Sequence, residues 1–213
     1  MRFVLASASP ARRAVLRAAG IDPVVRVSGI DEDAVAAELS DPTPEQLVVR
    51  LAQAKAAAVA DELTAEGHTG ESVVVGCDSM LSFDGEVVGK PGTADVARQR
   101  WRRMAGRSGT LITGHAVVRL DGDARVKEAS ASESTVVRWG RPSEAELEAY
   151  VASGEPLRVA GAFTLDGLGG WFVEGVDGDP SSVIGISLPL TRRLLSEVGV
   201  RVTDLWRPDA DDL

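Results

Sequence analysis

Four short segments of this chain carry residue types that handle anions and protons. The first is Ser7-Ala8-Ser9-Pro10, followed by Arg12 and Arg13. It stands where an apolar run gives way to a helix start. Two hydroxyls, unpaired backbone N–H groups, the positive helix end and two guanidinium groups can converge there on an anion. A serine N-cap with exposed arginines is the plainer alternative. The second is Lys55. With Val48, Ala52 and Val59 as the buried stripe of a helix, Lys55 falls on the apolar side, and it is the only charge between Arg50 and Asp61. Such a lysine either extends out to solvent or reaches into a site. The third is Asp78, one carboxylate inside the apolar run Val73–Leu81. Burying an unpaired charge is costly, so Asp78 calls for a cation, a metal or a catalytic role, unless it marks an exposed strand end. The fourth is Lys90 in Gly89-Lys90-Pro91. The chain has only three lysines, Lys55, Lys90 and Lys127, and otherwise uses arginine.

Other chemistry-bearing residues are less pointed. Asp31-Glu32-Asp33 follows a short strand-like run; its oxygens suit Mg²⁺, although acidic triplets are commonly solvated loops. Cys77 reads as a small buried hydrophobe, with no histidine near it in sequence. His68 and His115 look incidental, and their spacing fits no metal pair.

The elements that must position these residues alternate between strand and helix. Arg2–Ala6 reads as a buried strand, and Ser9-Pro10 opens a helix over 10–19 that Gly20 stops. Thr43-Pro44-Glu45-Gln46 is a capping box opening an alanine-rich helix to about Leu63. Ser72–Gly76 is a β-branched strand, and Met80–Phe83 and Glu86–Val88 flank the hairpin signal Asp84-Gly85. Ala97, Trp101 and Met104 mark the core side of a further helix. The arginines on or just after it (Arg98, Arg100, Arg102, Arg103, Arg107) read as a solvated face. Strands are expected at Leu111–Leu120 and Ala131–Trp139. Helices are expected from Ser143-x-x-Glu146 to near Gly154 and over Leu190–Val198, and the glycine-rich 161–178 reads as loops between short strands. The fold class is α/β, or mixed α+β, in one continuous unit over 1–207 with two lobes around a cleft and an acidic tail at 208–213.

Composition bounds the partners. The 213 residues hold 23 Lys+Arg against 32 Asp+Glu, a formal charge of −9. That acidity argues against a general nucleic-acid binder, which needs a basic face to displace counterions. No apolar run approaches the length of a membrane span, the N-terminal apolar stretch is too short for a signal peptide, and the single cysteine excludes an internal disulfide. A reduced, cytoplasmic protein is expected.

Taken together, these segments resemble the Maf family of nucleoside triphosphate pyrophosphatases. The matching pieces include Leu5-Ala6-Ser7-Ala8-Ser9-Pro10-Ala11-Arg12-Arg13, Asp31-Glu32, Lys55 between alanines, Gly76-Cys77-Asp78-Ser79, and Asp84-Gly85-Glu86 leading to Gly89-Lys90-Pro91. Later come Gly106-Arg107-Ser108, Ser153-Gly154-Glu155-Pro156, Ala160-Gly161-Ala162-Phe163, and Gly178-Asp179 running to Leu188-Pro189-Leu190. The resemblance implies a bilobed mixed sheet related to the inosine triphosphate pyrophosphatases. The implied reaction is hydrolysis between the α- and β-phosphates with a divalent metal, Mg²⁺ or Mn²⁺, giving a nucleoside monophosphate and pyrophosphate. It also implies Asp78 as proton acceptor and a triphosphate cradle of Ser7, Ser9, Arg12, Arg13, Lys55, Ser79 and Lys90. Asp78 and Glu32 are the implied metal ligands. A homodimer fits the family habit, and a house-cleaning role is expected. The rival expectation is a nucleotide-binding regulator of septum formation with little turnover.

Three positions depart from the family's thymidine/uridine branch: Ala11 after Ser-Pro, Ser79 after the aspartate, and Asp166 where that branch has Gln. The Arg12-Arg13 spacing, Phe163 and Asp166 lean toward the 7-methyl-GTP branch, whose Gln after the aspartate is absent here. Ala11 and Asp166 are therefore the base-reading candidates. A carboxylate only accepts hydrogen bonds, so Asp166 suits a guanine-type donor edge, or else turns into its own glycine-rich loop.

Overall fold

The computed structural model describes residues 1–207, so the acidic tail at 208–213 lies outside the described residues. Three long strands make the frame: β3 (Glu71–Phe83), β5 (Ser108–Asp121) and β6 (Ala124–Trp139). They belong to a seven-stranded mixed sheet. Adding β1 (Arg2–Leu5), β2 (Val24–Val25) and β7 (Val173–Asp177), the order is β2-β1-β3-β5-β6-β7, with β4 (Glu86–Val88) also paired to β3. β1 runs parallel to β3, whereas β4 and β5 are antiparallel to it.

Alternation along β3 assigns its side chains to different cores. Val73, Val75 and Cys77 pack with Leu16 of helix α1 (Pro10–Ala18) and with Leu190 and Leu194 of α7 (Leu188–Glu197). Val74 faces the opposite way, under α3 (Pro44–Ala65), against Ala52, Ala56 and Val59. Leu81 and Phe83 join Trp101 and Met104 of α4 (Ala94–Met104) and Tyr150 of α5 (Glu144–Ala152). One strand thus runs through all three apolar clusters.

Two features of this frame make a site. β1 pairs with β3 only as far as Val75, and β4 pairs with it only from Leu81 onward. The edge of β3 between them, residues 76–80, is left open to a ligand. The second feature is the closeness of α3 to the sheet. A Cβ added at Gly76 would run into the Ala52 carbonyl oxygen, and one added at Gly114, on β5 opposite Asp78, would run into that of Val48. The glycines are required because helix backbone rests directly on strand backbone at both places. The alanines of α3 complete the close packing.

Most expected elements are present, including both capping boxes, at Thr43/Gln46 and Ser143/Glu146. The Asp84-Gly85 turn has positive φ at both residues, as a tight hairpin requires. Several expectations are corrected. The two strands anticipated around Asp78 are one continuous strand, so Asp78 is not at a strand end. The acidic triplet is not a loop: Asp31 is the N-cap of a short helix, α2 (Glu32–Ala37), and its carboxylate accepts from Ala34 N–H at 3.0 Å. Residues 161–178 form 3₁₀ turns plus β7 rather than loops between short strands, because glycines at positive φ (Gly161 and Gly178) let the chain wind tightly. The arginines of α4 do lie at the surface, but as members of ion pairs. Arg98 and Arg102 bridge to Glu148 and Glu144 of α5, and Arg103 and Arg107 bridge to the hairpin acids Glu86 and Asp84.

The glycine contacts generate a stability prediction. Gly114→Ala must push α3 off the sheet, an overpacking cost of about 1–3 kcal/mol or more. At roughly 2–4 °C per kcal/mol for a chain of this size, thermal denaturation should show a clear fall in Tm. A control such as Gly89→Ala, where an added Cβ meets nothing within 4 Å, should change Tm little.

Candidate active site

Asp78 lies mid-strand on the face covered by α3, and α3 brings Lys55 directly over it. Lys55 Nζ donates to Asp78 Oδ1 at 2.6 Å, and both residues are only 8% exposed. The same ammonium meets Glu32 Oε1, at the start of α2, at 2.7 Å. Two carboxylates from distant parts of the chain thus converge on one buried cation. Burial raises the Asp78 carboxyl above its ordinary range, Lys55 and Arg12 oppose that rise, and Glu32 adds to it. A buried carboxylate held against an ammonium can accept a proton from water or bind a metal. The two oxygens facing Lys55 are hard ligands suited to Mg²⁺ or Mn²⁺. Among the described residues no group of three or more His, Cys, Asp or Glu side chains is placed to hold a metal. The Glu32 and Asp78 oxygens that could serve such an ion are both held by the Lys55 ammonium in this arrangement.

The next residue, Ser79, points to the opposite face and meets Arg12. Arg12 donates from Nη2 to Ser79 Oγ at 3.2 Å, from Nη1 to Ser7 Oγ at 3.0 Å, and from Nε to the Gly185 carbonyl at 2.7 Å. A guanidinium carries five N–H bonds. Three are committed to the protein, which fixes the plane of the group and leaves two for a ligand. Ser7 Oγ also accepts from Ser9 N–H at 3.2 Å, and Ser9 caps α1 by accepting from Arg12 N–H at 3.4 Å. Both serines thus shape the loop as well as offering polar atoms. Ser7, Ser9, Arg13 and Arg17 line a pocket of about 350 Å³ that also touches Val25.

The candidates divide accordingly. Glu32, Lys55 and Asp78 form one cluster, and Ser7, Arg12 and Ser79 form a second, joined through adjacent residues of β3. Arg13 is exposed on the first turn of α1, beside Ala11, and makes no ion pair within the described residues. Lys90 is exposed just after β4, and the antiparallel register of β4 carries it along β3 toward the open edge. Asp166 is exposed in a bend and is not brought into either cluster. The turn that carries it is clamped from behind, where Glu155 accepts from Thr164 Oγ1 and from the N–H groups of Leu168 and Gly169.

Cys77 is fully buried, and desolvation pushes its thiol up to about 11, which fits an inert core residue. His115, which looked incidental, is wholly buried. Its Nε2 accepts from Ser187 N–H at 2.8 Å, so Nδ1 carries the proton and donates to the Thr113 carbonyl at 3.1 Å. The ring ties β5 to the start of α7. Thr113 was also missed. A β-branched residue in a strand carries no sequence signal of a polar role, and only the neighbouring Gly114 hints at close packing.

With this geometry in place, the chain can be compared with known proteins. The model of the Maf-like protein family matches residues 2–198. The chain belongs to the Maf family. Maf-family relatives named nucleoside triphosphate pyrophosphatase include one from Saccharopolyspora erythraea, 67% identical over 209 residues and covering 98% of each chain. Another, from Nocardia farcinica, is 65% identical over 209 residues with the same coverage. A third, from Rhodococcus jostii, is 63% identical over 205 residues, covering 96% of this chain and 95% of its own. Nearly the whole Maf-family fold described above is therefore shared at full length.

His115 gives a pH prediction. Burial, helped by the Arg12 charge, lowers its pKa from 6.5 to about 4, so the folded chain holds the ring neutral. Stability from a depressed imidazole is complete above the unfolded value and is lost as pH falls toward the folded one. At about 1.36 kcal/mol per unit, this contributes about 3 kcal/mol across pH 6.5 to 4. Chemical denaturation over that range should show a shallower acid loss in His115→Gln than in the native chain.

Proposed function

We propose that this chain hydrolyses nucleoside triphosphates between the α- and β-phosphates, releasing a nucleoside monophosphate and pyrophosphate. The observation that carries this reading is the Lys55–Asp78–Glu32 cluster beside Arg12 at a break in the sheet edge, in a chain whose relatives bear the pyrophosphatase name. The two uncommitted Arg12 N–H bonds, Arg13, Lys90 and the Ser7–Ser9 loop bind the triphosphate oxygens. Ser79 keeps Arg12 in plane. Asp78 accepts the proton of the attacking water, and Lys55 holds its carboxylate ionised and oriented. When a divalent cation such as Mg²⁺ or Mn²⁺ is bound by Asp78 and Glu32, it supplies charge neutralisation for the phosphoryl oxygens.

Asp166, exposed in its bend, and Ala11, in the first turn of α1, read the base, and an acceptor-only carboxylate favours a purine with a guanine-type N–H edge. This places the enzyme among those that clear non-standard or modified nucleotides. Cys77, buried and unpaired, fits a reducing cytoplasm, and no helix of the described residues is long and apolar enough to cross a membrane. The free nucleotide is the partner, rather than a nucleic-acid polymer. A second copy of the chain completes the expected homodimer.

A product assay across canonical, methylated and deaminated nucleotides in Mg²⁺ or Mn²⁺ tests the reading. Pyrophosphate should appear, guanine-type nucleotides should rank first, and Asp78→Asn should lower kcat by about 100-fold or more. Undiminished pyrophosphate release by Asp78→Asn, or orthophosphate as the product, overturns it.

A further inference from the structure

The direction of the hydrogen bonds behind Arg12 identifies a residue that acts on the ligand without touching it. Thr113 is wholly buried in β5, paired in register with Ser79. Its hydroxyl lies 3.0 Å from Ser79 Oγ and 3.1 Å from the Ser182 carbonyl. A carbonyl can only accept, so the single Thr113 proton goes to Ser182. Thr113 Oγ1 must then accept from the Ser79 hydroxyl. With its own proton spent on Thr113, Ser79 Oγ presents lone pairs to Arg12 Nη2. The chain of donors therefore runs one way, from the Arg12 cation through Ser79 and Thr113 to Ser182.

Both ends of that chain are tied to one element. Ser182 lies within the short helix α6 (Pro180–Ile184), and Gly185, whose carbonyl accepts Arg12 Nε, is its C-cap. Gly185 sits at φ +121°, and a Cβ there would stand 3.1 Å from Arg12 Nε, so the residue must be glycine. The hydrogen bonds close a ring: Arg12, Ser79, Thr113, the Ser182–Gly185 turn, and Arg12 again. The bonds from Arg12 through Ser79 and Thr113 to Ser182 are aligned and polarise one another with the cation at their head, and the closing bond is a second donation from Arg12, to Gly185.

We infer that Thr113 is a positioning residue for phosphate binding: its hydroxyl sets the proton direction of Ser79 and thereby orients the two free N–H bonds of Arg12. The inference rests on the reading of Arg12 as a phosphate ligand. A hydroxyl with nothing to accept its proton can rotate toward Arg12 and turn a hydrogen bond into a clash of donors. The expected consequence is weaker triphosphate binding with the chemistry at Asp78 intact.

Steady-state kinetics on Thr113→Val, Thr113→Ser and Arg12→Ala test this with the native chain as reference. Thr113→Val keeps the shape and removes the hydroxyl; KM for the triphosphate should rise about tenfold with kcat within a few fold. Thr113→Ser restores the hydroxyl and should restore KM. Should Thr113→Val fail to fold, Thr113→Cys, similar in size and poor at hydrogen bonding, takes its place. Unchanged KM in the Val or Cys variant, when Arg12→Ala raises KM, overturns the role of Thr113 alone. Equal impairment by Val and Ser makes the role one of packing and also overturns it. Unchanged KM in Arg12→Ala overturns the phosphate reading beneath it.

Discussion

The buried contact between Lys55 and Asp78 is the constraint around which the rest of the structure is arranged. Desolvating two opposite charges costs several kcal/mol per ion, roughly, and close geometry is needed to offset it. That geometry demands a helix lying directly on a sheet. The absence of side chains at Gly76 and Gly114 admits the α3 backbone, and Ala52 and Ala56 keep the interface thin. The capping box at Thr43 fixes where α3 begins, and Asp31 fixes where α2 begins and hence where Glu32 meets the ammonium. A hydrophobic pair could fill this volume at less cost, so the buried charges are not explained by stability.

β3 then connects this pair to Arg12 and the Ser7–Ser9 loop. Adjacent residues of a strand point to opposite faces, so Asp78 and Ser79 serve α3 on one side and Arg12 on the other. Both faces are reachable at one place because β1 and β4 leave residues 76–80 unpaired on that edge. The net charge of −9 does not conflict with a polyanionic ligand. Many of the arginines away from Arg12 are matched by acids, as α4 is to α5 and the hairpin, whereas Arg12, Arg13 and Lys90 have no carboxylate partner among the described residues.

Much of this was legible in the sequence because it depends on local rules. Serine and threonine caps, the first-turn prolines, the Asp-Gly turn and the apolar stripe that put Lys55 on the buried side of α3 all reappear in three dimensions. The oddity of Asp78 in an apolar run was legible too, as a charge without a visible partner. The Maf-family resemblance put Lys55 in the triphosphate cradle rather than against Asp78; the contact depends on strand pairing and helix packing that no local pattern encodes. The same limit explains His115 and Thr113. Each is an unremarkable strand residue whose role arises only when a remote backbone, Ser187 or Ser182, arrives beside it. Asp166 and Lys90 show the converse: motif positions that the fold leaves exposed and outside both clusters.

The most direct measurement is a double-mutant cycle on the buried pair, with folding stability read by chemical denaturation and turnover measured alongside. Lys55→Met leaves Asp78 without its ammonium, and Asp78→Asn leaves Lys55 with only Glu32, so each single variant should lose stability. The double variant should recover most of that loss, with a coupling energy of about 1–3 kcal/mol, while remaining inactive. Losses that simply add would contradict the account, and so would a double variant that keeps native turnover.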